Sequence, residues 1–107
     1  LLNLLEKSKS LKITDKSLIW NTELVEALEL NNLLIQSIAS IDTALSREES
    51  RGAHAREDYK SRNDKKWLKH LLTFVELSGK TKIKSREVNL KTNSKEIKTI
   101  EPKARVY

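Results

Sequence analysis

From position 21 to about position 48 the sequence runs without a glycine or a proline. Nothing there forces the backbone to turn, so the spacing of its apolar residues decides its structure. Leu24, Ala27, Leu28, Leu34, Ile35, Ile38, Ile41 and Leu45 fall on one broad helical face, and Val25, Leu30, Leu33 and Ala44 widen it. A stripe that wide predicts a helix buried on more than one side. At 1.5 Å per residue, roughly 27 residues would reach about 40 Å. Asn21 is suited to cap the start, with Glu23 in the first turn facing the positive end of the helix dipole. Asn31 and Asp42 interrupt the stripe, so polar partners or a bend are expected there. Gly52, one of two glycines in the chain, is expected to end or sharply redirect this helix in a left-handed conformation. Arg47 and Arg51 are then expected near the negative end of the dipole.

The flanks read differently. Leu1, Leu4 and Leu5 have helical spacing, as in the last turns of a truncated first helix. Residues 10–17 form a polar connection in which Leu11 and Ile13 can pack down. Residues 58–66 are charged and turn-rich. Residues 67–77 suit a short helix or a strand, and Thr73, Phe74 and Val75 favour strand. The Ser-Gly-Lys at 78–80 and the partial alternation through Ile83 and Val88 predict a β-hairpin around Gly79. The tail is polar and extended, with apolar anchors at Ile97, Ile100 and Val106. The expected fold is α+β, mainly α. A helical bundle portion with a truncated first helix and a long central helix covers 1–58. A basic turn, a small hairpin and an extended tail of the same domain cover 59–107.

A chain of 107 residues bounds this to one small domain. Aromatics make up only 5% of it, so the core must be built from Leu, Ile, Val and Ala. The net charge of +6 is unevenly spread: residues 1–59 carry 7 Lys/Arg and 10 Asp/Glu, and residues 60–107 carry 14 and 5. A basic half can face nucleic acid, an anionic membrane or an acidic neighbour. The lysines are scattered, which favours a solvated surface. Cysteine is absent, which removes disulfides and thiolate metal sites. No run approaches the ~20 apolar residues of a membrane span, so no direct membrane insertion is expected. There is no signal-peptide pattern at the start. Methionine is absent and the chain opens on LLNLLEK, which reads as part of a longer protein.

Self-contained chemistry finds little support. His54 and His70 are the only histidines. A metal would need Glu57 or Asp58 beside His54, and Gly52 argues against the plain helix that would align them. A hydrogen-bonded structural histidine is the better reading. Ser50 and His54 lack any nucleophile elbow. Two isolated glycines cannot build a phosphate-cradling loop. Glu48 and Glu49 sit among arginines and read as ion-pair partners. Tyr59 or Trp67 with nearby Arg and Lys could stack on and neutralise a strand, yet no nucleic-acid-binding signature is present. The residues alone describe a basic accessory domain without its own active site.

The stretch ESRGAHARED at 49–58, followed by RNDKKWLKH at 62–70, resembles one family. It is similar to the C-terminal region of the flavoprotein subunit of succinate dehydrogenase and fumarate reductase. The family's pattern is approximately R-x-E-S-R-G-A-H-x-R-x-D, a short gap, then R-x-D-x-x-W-x-x-H. Arg47, Glu49, Ser50, Arg51, Gly52, Ala53, His54, Arg56 and Asp58 fit the first part; Arg62, Asp64, Trp67 and His70 fit the second. DKSLIWNTELVEALELNNLL at 15–34 and the ending PKARVY at 102–107 also resemble the family. The chain departs from it at Lys60, where proline is frequent, at Lys65, near which an acidic residue is frequent, and in the lysine-rich segment 78–101. L-aspartate oxidase is a related flavoprotein that the stretch AREDYK resembles less.

The resemblance implies a full-length subunit that binds FAD, usually covalently through a histidine, and oxidises succinate to fumarate by hydride transfer to the flavin. An arginine acts as proton shuttle. Electrons pass to an iron–sulfur subunit and on to quinone through membrane-anchor subunits. The complex is peripheral on the respiratory membrane, at the cytoplasmic face in a bacterium or the matrix face in a mitochondrion. The flavin-linking histidine, the dinucleotide fold and the catalytic arginine lie upstream in the family, so this chain is expected to hold no catalytic, cofactor-binding or metal-ligating residue. The family's C-terminal region is a helical bundle with a small β-containing tail, packed beside the flavin domain. Glu49, Ser50, Arg51, Gly52, His54, Arg56, Asp58, Trp67 and His70 are therefore expected to serve structure and domain docking. Glu49 and Asp58 are the nearby partners for the arginines. The other class of function is a free-standing basic nucleic-acid-binding module.

Overall fold

A computed structural model of the chain describes residues 1–103. Its elements are α1 (Leu2–Ser8), α2 (Thr22–Ser46), α3 (Asp64–Trp67), β1 (Lys69–Val75) and β2 (Thr81–Glu87). This is the expected α+β arrangement of a short first helix, a long central helix and a hairpin. The predicted anchor Val106, with Arg105 and Tyr107 of the family's ending, lies outside the described residues.

α2 begins where the sequence places its cap. The Asn21 carboxamide oxygen accepts from the Leu24 amide at 2.8 Å, and its nitrogen donates to the carbonyls of Asp15 and Ser17 at 3.0 and 2.8 Å. Glu23 does more than face the dipole, since its carboxylate accepts from the Thr14 and Asp15 amides. Those backbone bonds hold its carboxyl below the ordinary range. The connection from α1 is thus clamped onto the start of α2.

The end of α2 differs from expectation. The helix stops at Ser46, and Arg47 is already extended at φ −86°, ψ 104°. Gly52 lies beyond the end and does not cap the helix. No helix breaker acts here; the chain leaves the helical path at Arg47 because the side chains of Arg47 and Glu49 join a buried ion cluster. Gly52 instead forms a tight turn in which Arg51 and His54 exchange backbone hydrogen bonds of 2.8 and 3.0 Å. Its φ of +58° is the left-handed value that hairpin turns place on glycine.

β1 and β2 pair antiparallel from Lys69↔Glu87 to Val75↔Thr81. Gly79, at φ +82°, closes the turn and is packed beside Leu2, Leu5 and Ile38. The inner face of the hairpin rests on α2. Thr81 donates to the Asp42 carboxylate at 2.6 Å, and the hydroxyls of Thr43 and Thr73 are hydrogen-bonded. Asp42, which breaks the apolar stripe, thereby finds the polar partner it needs.

The core is small. Leu5, Leu34 and Ile38 are buried together, with Leu30, Ile35 and Val75 packed against them. Trp67 is buried separately. The prediction of a helix covered on more than one side is not met among the described residues. Val25, Leu28, Leu33, Ile41 and Leu45 stay exposed, because α1 and the hairpin occupy only one side of α2. The radius of gyration is 19.8 Å, against about 13 Å for a compact domain of this length.

Candidate functional site

The segment after α2 folds around one carboxylate. Glu49 is fully buried, with 0% of its surface exposed. An ionised carboxylate cannot sit there without compensating donors, and four surround it. Arg47 Nη1 donates to Oε1 at 2.6 Å and Arg51 Nε to the same oxygen at 2.7 Å. Arg51 Nη2 and the Asn63 backbone amide reach Oε2 at 3.0 and 2.8 Å. Burial pushes the Glu49 carboxyl up, but the Arg51, Asn63 and Arg47 hydrogen bonds outweigh it and bring it down to about 2. Glu49 is a fixed negative charge, not an acid or base that works near neutrality.

The arginines bridge elements. Arg47 donates to the carbonyls of Trp67 and Lys69 at 2.9 and 2.7 Å, which ties the end of α2 to the end of α3 and the start of β1. Arg51 also reaches Asp64 Oδ1 at 2.5 Å, and Arg62 holds the other Asp64 oxygen at 2.8 Å. The Arg51 bond leads in lowering the Asp64 carboxyl, and the bond to Glu49 leads in raising the Arg51 guanidinium. Arg56 pairs with Asp58, donating from Nε to Oδ1 at 2.8 Å, and its Nη1 caps α2 by donating to the Leu45 carbonyl at 2.6 Å. The planar, multi-donor guanidinium suits such bridging, which a lysine could not reproduce.

The other predicted residues take distinct places. Ser50 Oγ donates to the Tyr59 carbonyl at 2.7 Å and accepts from the Arg56 amide at 2.9 Å, so it staples the loop. The His54 ring Nε2 lies 3.2 Å from the Arg47 carbonyl, while Asp58 is engaged by Arg56. The structure does not bring His54 and Asp58 together as ligands. Trp67 packs under the cations of Arg47, Lys66 and Lys69, whose charged groups lie 5.5, 5.1 and 4.9 Å from its ring centre. His70 does not join the cluster; it stands exposed on the outer hairpin face opposite Arg86. Sequence reasoning missed the roles of Arg47 as a strap and of Asn63 as a main-chain donor. The Asn63-Asp64 pair is a recognisable helix start, and its cap is formed, with Oδ1 accepting from the Lys66 amide at 3.1 Å. No sequence signal announces that the same residue's amide faces Glu49.

Gly52 and Gly79 serve two separate turns, so they make no glycine-rich cradle. The guanidinium and carboxylate groups of the cluster are turned on one another. No group of three or more His, Cys, Asp or Glu capable of holding a metal occurs among the described residues.

A Gly52→Val variant follows from the turn geometry. No atom lies within 4 Å of the site a Cβ would occupy, so only the left-handed backbone opposes the substitution, at about 1 kcal/mol or somewhat more. Thermal unfolding should show that modest loss. An unchanged melting temperature would mean that the turn simply re-forms with an ordinary φ.

The comparisons with known proteins bear on the family and the fold. The family model described as fumarate reductase flavoprotein C-term matches residues 1–107. A succinate dehydrogenase flavoprotein subunit of Rickettsia bellii is 54% identical over 99 residues, covering 92% of this chain and 17% of that protein. The mitochondrial flavoprotein subunit of succinate dehydrogenase from Oryza sativa subsp. japonica is 46% identical over 102 residues, covering 95% of this chain and 16% of that protein. Among solved structures, a variant of the FrdA chain of E. coli quinol fumarate reductase superposes with a TM-score of 0.77 at 35% identity, covering 86% of this chain and 16% of that one. The chain therefore spans about one-sixth of the length of these relatives.

Proposed function

The chain belongs to the fumarate reductase flavoprotein C-terminal family, and from that premise we propose that it is the bracing domain of a succinate-oxidising flavoprotein subunit. The subunit's FAD and its catalytic residues lie outside these 107 residues. Succinate is oxidised to fumarate there, and electrons leave through an iron–sulfur subunit towards quinone. Membrane-anchor subunits hold the complex on the respiratory membrane. No helix among the described residues is long and apolar enough to cross a membrane. This chain supplies shape: the Glu49 cluster fixes the angle between α2 and the hairpin, and its apolar surface packs on the flavin domain. Glu49, Ser50, Arg51, Gly52, His54, Arg56, Asp58 and Trp67 serve that framework, and none touches substrate.

One observation carries the reading. Leu18, Ile19 and Trp20 project into solvent, with 89, 78 and 95% of their surfaces exposed. Trp20 is held at φ +57°, a strained value for a bulky residue. The loop that presents them is clamped by the buried Asn21 carboxamide. A strained, solvent-facing Leu-Ile-Trp display is the form of an anchor that waits for a pocket. Val25 and Leu28 extend the apolar surface onto α2.

Trp20→Gly tests this with effects of opposite sign. In the isolated chain it should leave stability unchanged or raise it by about 1 kcal/mol, because glycine accepts the left-handed φ. In the full-length subunit it should loosen the domain, read as faster proteolysis at its boundary and a lower melting temperature. Equal stability of both subunits would remove the docking role. The isolated chain should also show helical circular dichroism without flavin absorbance or succinate oxidation; turnover by it alone would overturn the site assignment. A nucleic-acid-binding module would show salt-dependent affinity for a nucleic-acid strand, and a flat filter-binding titration at low salt removes that reading.

A further inference from the structure

The hairpin has a second face that the bracing role leaves unused. Lys82, Lys84 and Arg86 alternate along β2 and are all exposed. The register sets them opposite Phe74, Leu72 and His70 respectively, so all six share the outer face. The Lys84 ammonium lies 5.5 Å from the centre of the Phe74 ring, which is itself 54% exposed. None of the three cations makes an ion pair among the described residues. The sheet has two strands in the order β1-β2, so among the described residues β2 has a strand neighbour on one side only. Its other edge offers main-chain donors and acceptors.

We propose that the open edge of β2 is a strand-addition site for an extended acidic protein segment with Asp or Glu at every second residue. The spacing argues for it. Alternate residues of a strand stand about 7 Å apart on one face. An added strand with carboxylates at every second position therefore sets three of them beside Lys82, Lys84 and Arg86, at the separation of cross-strand neighbours. Its intervening apolar side chains would fall on the opposite face. Main-chain bonds supply affinity and the alternating charge supplies register. A phosphate backbone or a lipid surface could neutralise the cations, but neither has amide and carbonyl groups to match the strand edge. A second copy of this chain does not qualify, because the sequence contains no acidic residue two positions from another. The occupant is therefore a segment of different sequence. This inference stands apart from the succinate-oxidising reading, since it uses none of the residues of that argument.

The test uses the full-length subunit and a fluorescent peptide of about ten residues in which Glu alternates with Val and Thr, followed by anisotropy. Two control peptides have the same composition. One gathers its glutamates in a block, and the other carries N-methyl groups on alternate amides. The alternating peptide should bind at least about tenfold more tightly than either control. A Lys82→Glu/Lys84→Glu/Arg86→Glu subunit should lose binding about tenfold or more, and Lys82→Arg/Lys84→Arg should retain it. The substituted side chains are exposed, and an unchanged circular dichroism spectrum verifies that the subunits are folded. Equal binding of all three peptides overturns strand addition and leaves charge attraction alone. Stronger capture of phosphatidylglycerol vesicles or single-stranded DNA than of the alternating peptide, abolished by the triple reversal, assigns the face to lipid or nucleic acid and overturns the proposal. Absence of binding to any probe also overturns it, and leaves the lysines as guards that keep an exposed strand edge from pairing.

Discussion

Glu49→Ala should destabilise this domain by about 3–5 kcal/mol. The cost does not come from lost attraction alone. Removing the carboxylate leaves Arg47, with a side chain only 15% exposed, with no carboxylate, leaves Arg51, 26% exposed, with Asp64 alone, and orphans the Asn63 amide. Arg47 would still hold the Trp67 and Lys69 carbonyls, so the damage should centre on the 49–64 loop. Hydrogen exchange in the full-length subunit is the direct measurement, with the Asn63 amide losing protection first. A loss below about 1 kcal/mol would mean that water enters and solvates the arginines, and that the cluster is ornamental to stability. The pH dependence carries the same signature. The folded-state pKa of Glu49, about 2, lies below its ordinary 4.5. Its contribution is therefore fully present above about pH 4.5 and disappears as the pH falls towards 2. At about 1.4 kcal/mol per pH unit, that is about 3 kcal/mol. Asp58 and Asp64 are lowered too, so they add acid sensitivity of the same sign. Glu49→Gln should remove the Glu49 share of that slope while keeping the side chain's shape.

Gly79→Val should cost about 2–3 kcal/mol. Two terms combine. The residue sits at φ +82°, where a β-branched side chain is strained by about 1–2 kcal/mol. A Cβ there would lie 2.5 Å from Leu2 Cδ2 and 3.2 Å from Leu5 Cδ2. Leu2 is exposed and can rotate away. Leu5 is buried, so its displacement disturbs the contact between α1, α2 and the hairpin. The contrast with Gly52, whose missing Cβ faces open space, gives the comparison its force. Melting curves of the two valine variants should separate by roughly 1 kcal/mol or more, with Gly79→Val the lower. Coincident curves would show that the hairpin turn can shift without moving the core.

Local chemistry made much of the fold readable. Asn21 announces the start of α2 because a short polar side chain there has one favourable task. The Ser-Gly-Lys turn between β-prone runs announces the hairpin. What the sequence could not convey was set by contacts distant along the chain. The helix ends at Ser46 because Arg47 is drawn across to Trp67 and Lys69, about twenty residues on, and no local propensity encodes that pull. The broad apolar stripe on α2 was legible, but its meaning was not. Periodicity reports that a face wants cover without saying whether the cover belongs to the same stretch of chain. In the candidate site, the pairing of Glu49 with arginines followed from composition, because a carboxylate amid so many guanidiniums has few other uses. The separation of His70 from the rest followed only from the strand register, which reverses the facing of every neighbouring residue.

The strap from Arg47 to the first residues of the hairpin also bears on how the chain acquires its shape. Glu49 and the Asn63 amide are 14 residues apart, and closing a loop of that length forfeits less chain entropy than closing a longer one. The knot can tie soon after α2 forms, before any strand exists. With Arg47 also bonded to the Lys69 carbonyl, β1 grows from an anchored end and β2 folds back onto a template already positioned. Register errors at the hairpin are thereby suppressed from upstream as well as by the turn itself.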